Sequence, residues 1–436
     1  MEEPSAAGTT AGVDQTSTLP DSSTSTTTGT GTGTSTSTAT GATTTTGGTT
    51  TTGAGTGTSG QTAAGGTGSA PAGTTSGGAK DSRSSGSKAD APAAGSSLTQ
   101  LVQHTVETQA IFGGTASCRP ATASEVRIGN VSTLSGVLGE LFAPVVPALN
   151  AFVASQNACG GLGGHKIKMF ISDDQGDPST AISKIAEMVE KTKVLALVGN
   201  IEPLTMDGVT ATLKKYNLPV IGADLVSQVE MTTPLIFPQG QNVQATSYGF
   251  LYATKNVFHV QKFGNLYCLE VPRPCEAAAR ANRELAPQFG VQVVKQIQVS
   301  ITAPSYVQEC LQLKSAGAQV LALNIDAASM VRIARSCTQT GFFPKTVAYP
   351  LGVGNEKQFL QGLKFLGGTY LPLNHFPWMG NSTPAEKYWQ AMRSKYIPGA
   401  ENGGAAALGW SAGALLVAAS AGMSPSAEPT TQNLLD

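Results

Sequence analysis

The sequence predicts an α/β fold: two doubly wound, parallel-sheet lobes behind a long stretch rich in Gly, Ser and Thr. Three observations predict it. Apolar residues large enough to build a core are nearly absent before about residue 123. From Val126 onward, short apolar runs alternate with longer amphipathic segments, as strands and crossover helices do in parallel sheets. Near Val243 that rhythm begins again, which makes two sets of elements.

The N-terminal residues 1–123 carry tracts such as Thr43-Thr44-Thr45-Thr46. Such composition cannot bury enough surface to offset the entropy of ordering it, so a disordered stalk or linker is expected. Met1-Glu2-Glu3-Pro4 has neither the positive start nor the apolar run of an export signal, so the signal is expected to be already removed or the chain to be a fragment.

In the first set, Val126 to Val131 reads as a strand and Leu141 to Gln156 as a helix ended by Cys159-Gly160-Gly161. Ile167 to Ile171 is a second strand. Pro178 opens a helix that Ser179 or Thr180 can cap, with Ile182, Ile185 and Val189 on one face. Val194 to Val198 is continuously apolar, as a strand covered on both faces should be. Met206 to Tyr216 is a helix, and Leu218 to Ile221 a fourth strand.

In the second set, helices are expected at Val243 to Asn256, Pro274 to Leu285, Ser305 to Ala316, Ala327 to Thr340 and Glu356 to Lys364. Strands are expected at Leu266 to Leu269, Val291 to Val299, Val320 to Leu323 and Thr346 to Tyr349. Thr383 to Tyr396 and Ala405 to Ala421 read as closing helices. Ligands of such sheets bind beyond the carboxyl ends of the strands, so the residues just after each strand are the ones to inspect.

Composition excludes several functions. A net charge of −1 and the absence of a Lys/Arg run give no reason to expect nucleic acid as a partner. No apolar stretch is long enough to span a bilayer. None of the six cysteines sits in a C-x-x-C pair, and the four histidines are not at zinc-ligand spacing to them, so neither metal nor cofactor is expected. Their even number beside a Ser/Thr/Gly stalk favours disulfides and an oxidising compartment.

Four local patterns suggest chemistry. Gly409-Trp410-Ser411-Ala412-Gly413 matches a nucleophile elbow, but no strand precedes it and no His follows. An esterase is therefore the minor alternative, and a helix with small residues on its packing face the preferred one. Gly160 to Lys166 follows a helix and precedes a strand, the reverse of a phosphate loop, and reads as a glycine-rich turn. Asp173, Asp174 and Asp177 read as a solvated loop capping the next helix. Asp326 follows an apolar strand and opens a helix, as an N-cap or as a carboxylate at a cleft edge.

Several segments in order resemble one family. They are Leu134-Ser135-Gly136, Asn157-Ala158-Cys159-Gly160-Gly161-Leu162-Gly163-Gly164-His165-Lys166-Ile167, Val331 to Arg335, Tyr349 to Asn355 and Gly367 to Tyr370. The chain from about Val126 to Leu435 resembles the type I periplasmic binding proteins, in their leucine/isoleucine/valine-binding branch. The resemblance implies lobes joined by a hinge that closes on ligand: 124–242 with 374–436 as lobe 1, 243–373 as lobe 2. It implies no enzyme. It implies an extracytoplasmic solute-binding protein, periplasmic or on the cell surface, that delivers a small polar, amino-acid-like molecule to the permease of an ABC importer. A membrane or cell-wall tether through the stalk is possible on this reading. A ligand-sensing ectodomain is the alternative use of the same lobes.

The resemblance also places the binding residues. From lobe 1 they are Thr133, Ser135, Leu141, Asn200, Ile201, Glu202, Ala223, Asp224 and Leu225; from lobe 2, Glu270, Asp326 and Tyr349. Asp326 falls where the family holds a ligand ammonium. The family's hydroxyls for a ligand carboxylate are replaced near Ile201, Glu202 and Val226, so a cationic, amide or polyol-like solute is expected to fit at least as well as a branched-chain amino acid. Disulfides Cys268–Cys275, Cys310–Cys337 and Cys118–Cys159 are expected. The family continues through a further crossing and final strands, so a shortened C-terminus is expected at Asp436.

Overall fold

The computed structural model describes residues 119–348, 355–363 and 368–435. The expected stalk lies almost wholly outside them. Strands β1 (Ala123–Ser132), β2 (His165–Asp173), β3 (Leu197–Val198), β4 (Val220–Ile221) and β5 (Ile236–Phe237) form one sheet in the order β2-β1-β3-β4-β5. Every pairing in it is parallel. Strands β6 (Lys262–Cys268), β7 (Gln292–Val299), β8 (Val320–Asn324), β9 (Lys345–Ala348) and β10 (Thr369–Tyr370) form a second parallel sheet in the order β10-β9-β8-β6-β7. Read from the other edge, the second order is the first repeated, and both reverse direction beside their opening strand.

Each sheet is covered on both faces, which explains the continuous apolar runs. In β3, Leu197 packs with Ile185, Val209 and Leu213, while Val198 packs with Leu149 and Phe152 on the other side. In β8, Val320 and Ala322 meet Phe250 and Phe263, and Leu321 and Leu323 meet Cys310 and Ile333.

The helices of lobe 1 are α1 (Gly139–Phe142), α2 (Val145–Asn157), α3 (Pro178–Glu187) and α4 (Met206–Tyr216). The single helix expected from Leu141 is divided at Ala143-Pro144, because Pro144 has no N–H to continue the ladder. Asp177, rather than Ser179 or Thr180, caps α3: its carboxylate accepts from the N–H of Thr180 at 2.7 Å. Asp174 is fully buried, not solvated as expected, and accepts from the Thr205 hydroxyl and the Gly176 N–H. The glycine-rich segment is a turn into β2. At Gly161 (φ +64°) a Cβ would sit 1.9 Å from the His165 carbonyl oxygen, so only glycine fits.

Lobe 2 carries α5 (Val243–Tyr252), α6 (Pro272–Leu285), α7 (Val307–Ser315), α8 (Ala327–Gln339) and α9 (Glu356–Leu363). The chain then adds α10 (Pro384–Tyr396), α11 (Gly404–Ala419) and α12 (Gln432–Leu435). A capping box between Thr383 and Glu386 starts α10. Buried α11 lies against α2, β3 and β4, so the C-terminal helices complete the core of lobe 1. No helix among the described residues is long and apolar enough to cross a membrane.

Candidate functional site

A doubly wound sheet opens a crevice where its strand order reverses, outside the carboxyl ends of the strands. Here the reversals fall between β1 and β3 and between β6 and β8. A buried asparagine fastens each. The Asn130 amide on β1 donates to the Val198 and Gly199 carbonyls, both at 2.9 Å. The Asn265 amide on β6 donates to the Ala322 carbonyl at 3.2 Å and to Asn324 Oδ1 at 3.0 Å.

The two carboxyl edges share one cavity of about 90 Å³. Lobe 1 supplies Leu138, Leu141 and Phe142 from the segment after β1, Pro203 after β3, and Asp224 and Val226 after β4. Lobe 2 supplies Glu270 and Val271 after β6, Ile301 after β7, and Ile325 and Asp326 after β8. The Cys268–Cys275 disulfide forms part of the wall, tying the end of β6 to the first turn of α6. Cys310 and Cys337 are bonded between α7 and α8. Cys118, the expected partner of Cys159, lies outside the described residues; Cys159 is itself disulfide-bonded.

The walls are mainly apolar, and among the described residues the ionisable side chains lining them are all acidic. Asp326 has two roles. One oxygen caps α8, accepting from the Ser329 N–H at 2.9 Å. The other, Oδ2, is buried without a partner. Glu270 accepts from the Ile301 N–H at 3.0 Å and the Ser300 hydroxyl at 2.5 Å, which shapes the turn after β7. Asp224 accepts from the N–H groups of Glu202 and Val226, both at 3.1 Å. Between them Leu225 holds φ +69°, a costly conformation for a branched side chain.

Behind the lobe 1 wall, acidic groups collect at the sheet edge. Glu202 is fully buried and neither of its oxygens accepts a hydrogen bond; Asn200 approaches without closing one. Burial, then the charges of Asp174 and Asp224, push Glu202 well above the usual carboxyl range. Burial and Asp224 do the same to Glu230, and burial raises Asp224. Among the described residues no His, Cys, Asp or Glu cluster has the arrangement of a metal site.

Of the residues expected to bind, Leu141, Asp224, Glu270 and Asp326 meet at the cavity. Thr133, Asn200, Ile201, Ala223 and Leu225 are buried in lobe 1, with Thr133 donating its N–H to Ile201. Ser135 is exposed. Tyr349 lies outside the described residues. Val271 and Ile301 were not expected there. Ile301 was within reach of the rule that sites follow strands; Val271 depends on how the lobes meet.

The esterase motif is not an elbow. Ser411 lies in the middle of α11 and its hydroxyl donates to the Leu408 carbonyl at 3.0 Å. Gly409 and Gly413 face α2: a Cβ at Gly413 would lie 2.5 Å from the Phe152 ring.

Solved structures share this architecture. A leucine-binding protein, LivK, of Thermotoga maritima aligns with a TM-score of 0.59 and 15% identity, over 71% of this chain and 86% of that one. The branched-chain amino acid transporter substrate-binding protein LivJ of Streptococcus pneumoniae, in complex with isoleucine, aligns at 0.59 and 16%, over 71% and 86%. A fatty acid ABC transporter substrate-binding protein of Thermomonospora curvata aligns at 0.62 and 17%, over 73% and 81%. At such identity the likeness is one of fold. No curated protein matches the sequence significantly. Residues 125–435 match the family model described as periplasmic binding protein, and the chain belongs to that family.

Proposed function

We propose that the protein is the extracytoplasmic receptor of an ABC importer. It holds a small, amino-acid-like molecule or derivative between its lobes and presents the closed form to a permease. The observation that carries this reading is the shared cavity: two sheets of the same strand order point their carboxyl edges at it. A ligand touching both edges stabilises the closed arrangement over the open one, which is the differential affinity that closure requires. Asp326 is the residue we assign to the ligand, since one of its oxygens is already buried and free. The N-terminal stretch serves as the tether.

Amino acids, amides, polyamines, sugars and small aromatic acids, added singly to the full chain, provide the test. A ligand raises the unfolding midpoint in proportion to the logarithm of its concentration above Kd, and small-angle scattering reports closure as a smaller radius of gyration. A panel in which no compound moves either quantity defeats the receptor reading. Hydrolysis of a generic ester that disappears in Ser411→Ala would revive the esterase.

A further inference from the structure

We propose that the cavity selects a compact primary amine with an apolar body and no carboxylate. This rests on the receptor reading and narrows its ligand. Among the described residues lining the cavity, the charged side chains are Asp224, Glu270 and Asp326, and there is no Lys, Arg or His. A ligand carboxylate would meet like charges and no cation. Of the arginines in the adjoining grooves, Arg332 is committed to the carbonyls of Ile301 and Ala303 and to the Ser329 hydroxyl, and Arg273 is paired with Asp207.

The number of free acceptors sets the number of cationic heads. Glu270 and Asp224 already accept from backbone N–H groups. Asp326 Oδ2 is buried and accepts from nothing. A neutral hydrocarbon would leave that oxygen stranded, whereas an ammonium donates to it. Asp326 lines both the cavity and the open groove beside it. The ammonium therefore sits at the mouth and the body points inward.

Shape limits the body. Phe142, Val271, Pro274, Ile301 and Ile325 offer it only apolar surface. An apolar cavity of about 150 Å³ holds a benzene molecule. The cavity here, about 90 Å³, takes about three carbons of an aliphatic body by the same measure, and the rest of a short chain lies with the ammonium at the mouth.

The experiment compares 3-methylbutylamine, 3-methylbutanoate and leucine as ligands of the full chain at pH 7, by calorimetry and by thermal shift. The expected result is binding of the amine, at least about tenfold weaker binding of leucine, and none of the acid. Asp326→Asn keeps a side-chain oxygen for the cap and removes the charge. It is expected to retain the unliganded midpoint and to weaken the amine at least about tenfold. Leu141→Phe, which fills the cavity from half-buried α1, is expected to weaken 3-methylbutylamine more than methylamine, and it keeps the test open should Asp326→Asn not fold. Leucine or the acid binding as tightly as the amine overturns the proposal, as does an amine response that survives both substitutions. If leucine or the acid binds and the amine does not, the class falls and the receptor reading stands. If neither these three nor any compound of the wider panel binds, both fall.

Discussion

Glu202 is buried and His375 partly so, and their effects on stability run in opposite directions with pH. Glu202 is held well above its ordinary range by burial and by Asp174 and Asp224. In the unfolded chain it ionises near its ordinary value of 4.5. The folded state thus binds the proton more tightly, and stability falls as pH rises from 4.5. Glu202→Gln removes this loss. Its midpoint is expected to match that of the parent near pH 4.5 and to exceed it increasingly towards pH 8, by about 2–4 °C for each kcal/mol removed. His375 is pushed down from 6.5 to about 4 by burial, while its ring donates to the Gly404 carbonyl at the start of α11. Here the unfolded state takes up the proton first, so stability is full above pH 6.5 and is lost as pH falls towards 4. His375→Gln can keep the donor and abolish that loss, which amounts to at most roughly 3 kcal/mol at about 1.4 kcal/mol per unit. Unfolding midpoints of the two variants across pH 4 to 8 check both expectations.

At the scale of the element, α11 shows how a motif can mislead when read alone. Gly409 and Gly413 face α2 at the lobe 1 interface, where Val145, Leu149 and Phe152 leave no room for a methyl group. Gly413→Ala gains about 1 kcal/mol of helix propensity and loses about 1–3 kcal/mol to overpacking against Phe152. The expected result is a lower midpoint, measurable by thermal or urea unfolding, although alanine is the better helix former. The longer elements were legible because each must bury an apolar face: β1, β2, β7, β8 and most helices lie within a few residues of where periodicity put them. The strand Ile236–Phe237 was not, since two residues have no period. Nor were Asn130 and Asn265, polar residues inside apolar strands whose partners come from a neighbouring strand. The site was legible only by half. The rule about strand ends pointed to Asp326 and the family resemblance to Asp224 and Glu270, but which neighbours of each turn inward is decided by lobe packing. Ile201 and Leu225 accordingly sit in the interior rather than at the cavity.

Across the whole molecule, the lobes touch through apolar side chains, through an exposed ion pair, and through hydrogen bonds near the starts of α9 and α11, where the Asn402 amide donates to Glu356 and the Asn355 amide to Glu401. Arg273 at the start of α6 meets Asp207 at the start of α4 beside the cleft. The Arg273 side chain is 80% exposed, so salt screens the pair and its contribution is about 0–1 kcal/mol. Arg273→Ala is expected to change ligand affinity by less than about fivefold, a difference that shrinks further in high salt. A loss of a hundredfold, measured by calorimetry, would show that the pair latches the closed form. Apolar contact holds the lobes together more strongly: Cys268 and Val271 of lobe 2 pack into the same cluster as Leu138 and Phe142 of lobe 1.

The position of the Cys268–Cys275 bond constrains the history of the chain. Cys268 is only 6% exposed once the lobes meet, so an oxidant reaches its thiol most readily before they do. The bond therefore forms most readily while the lobes are apart. A chain kept reduced would carry two thiols in the cavity wall in place of the bond, and should respond to ligand less than oxidised protein, at equal secondary structure. The redox state of one bond in the wall is in this sense an ingredient of the chain's specificity.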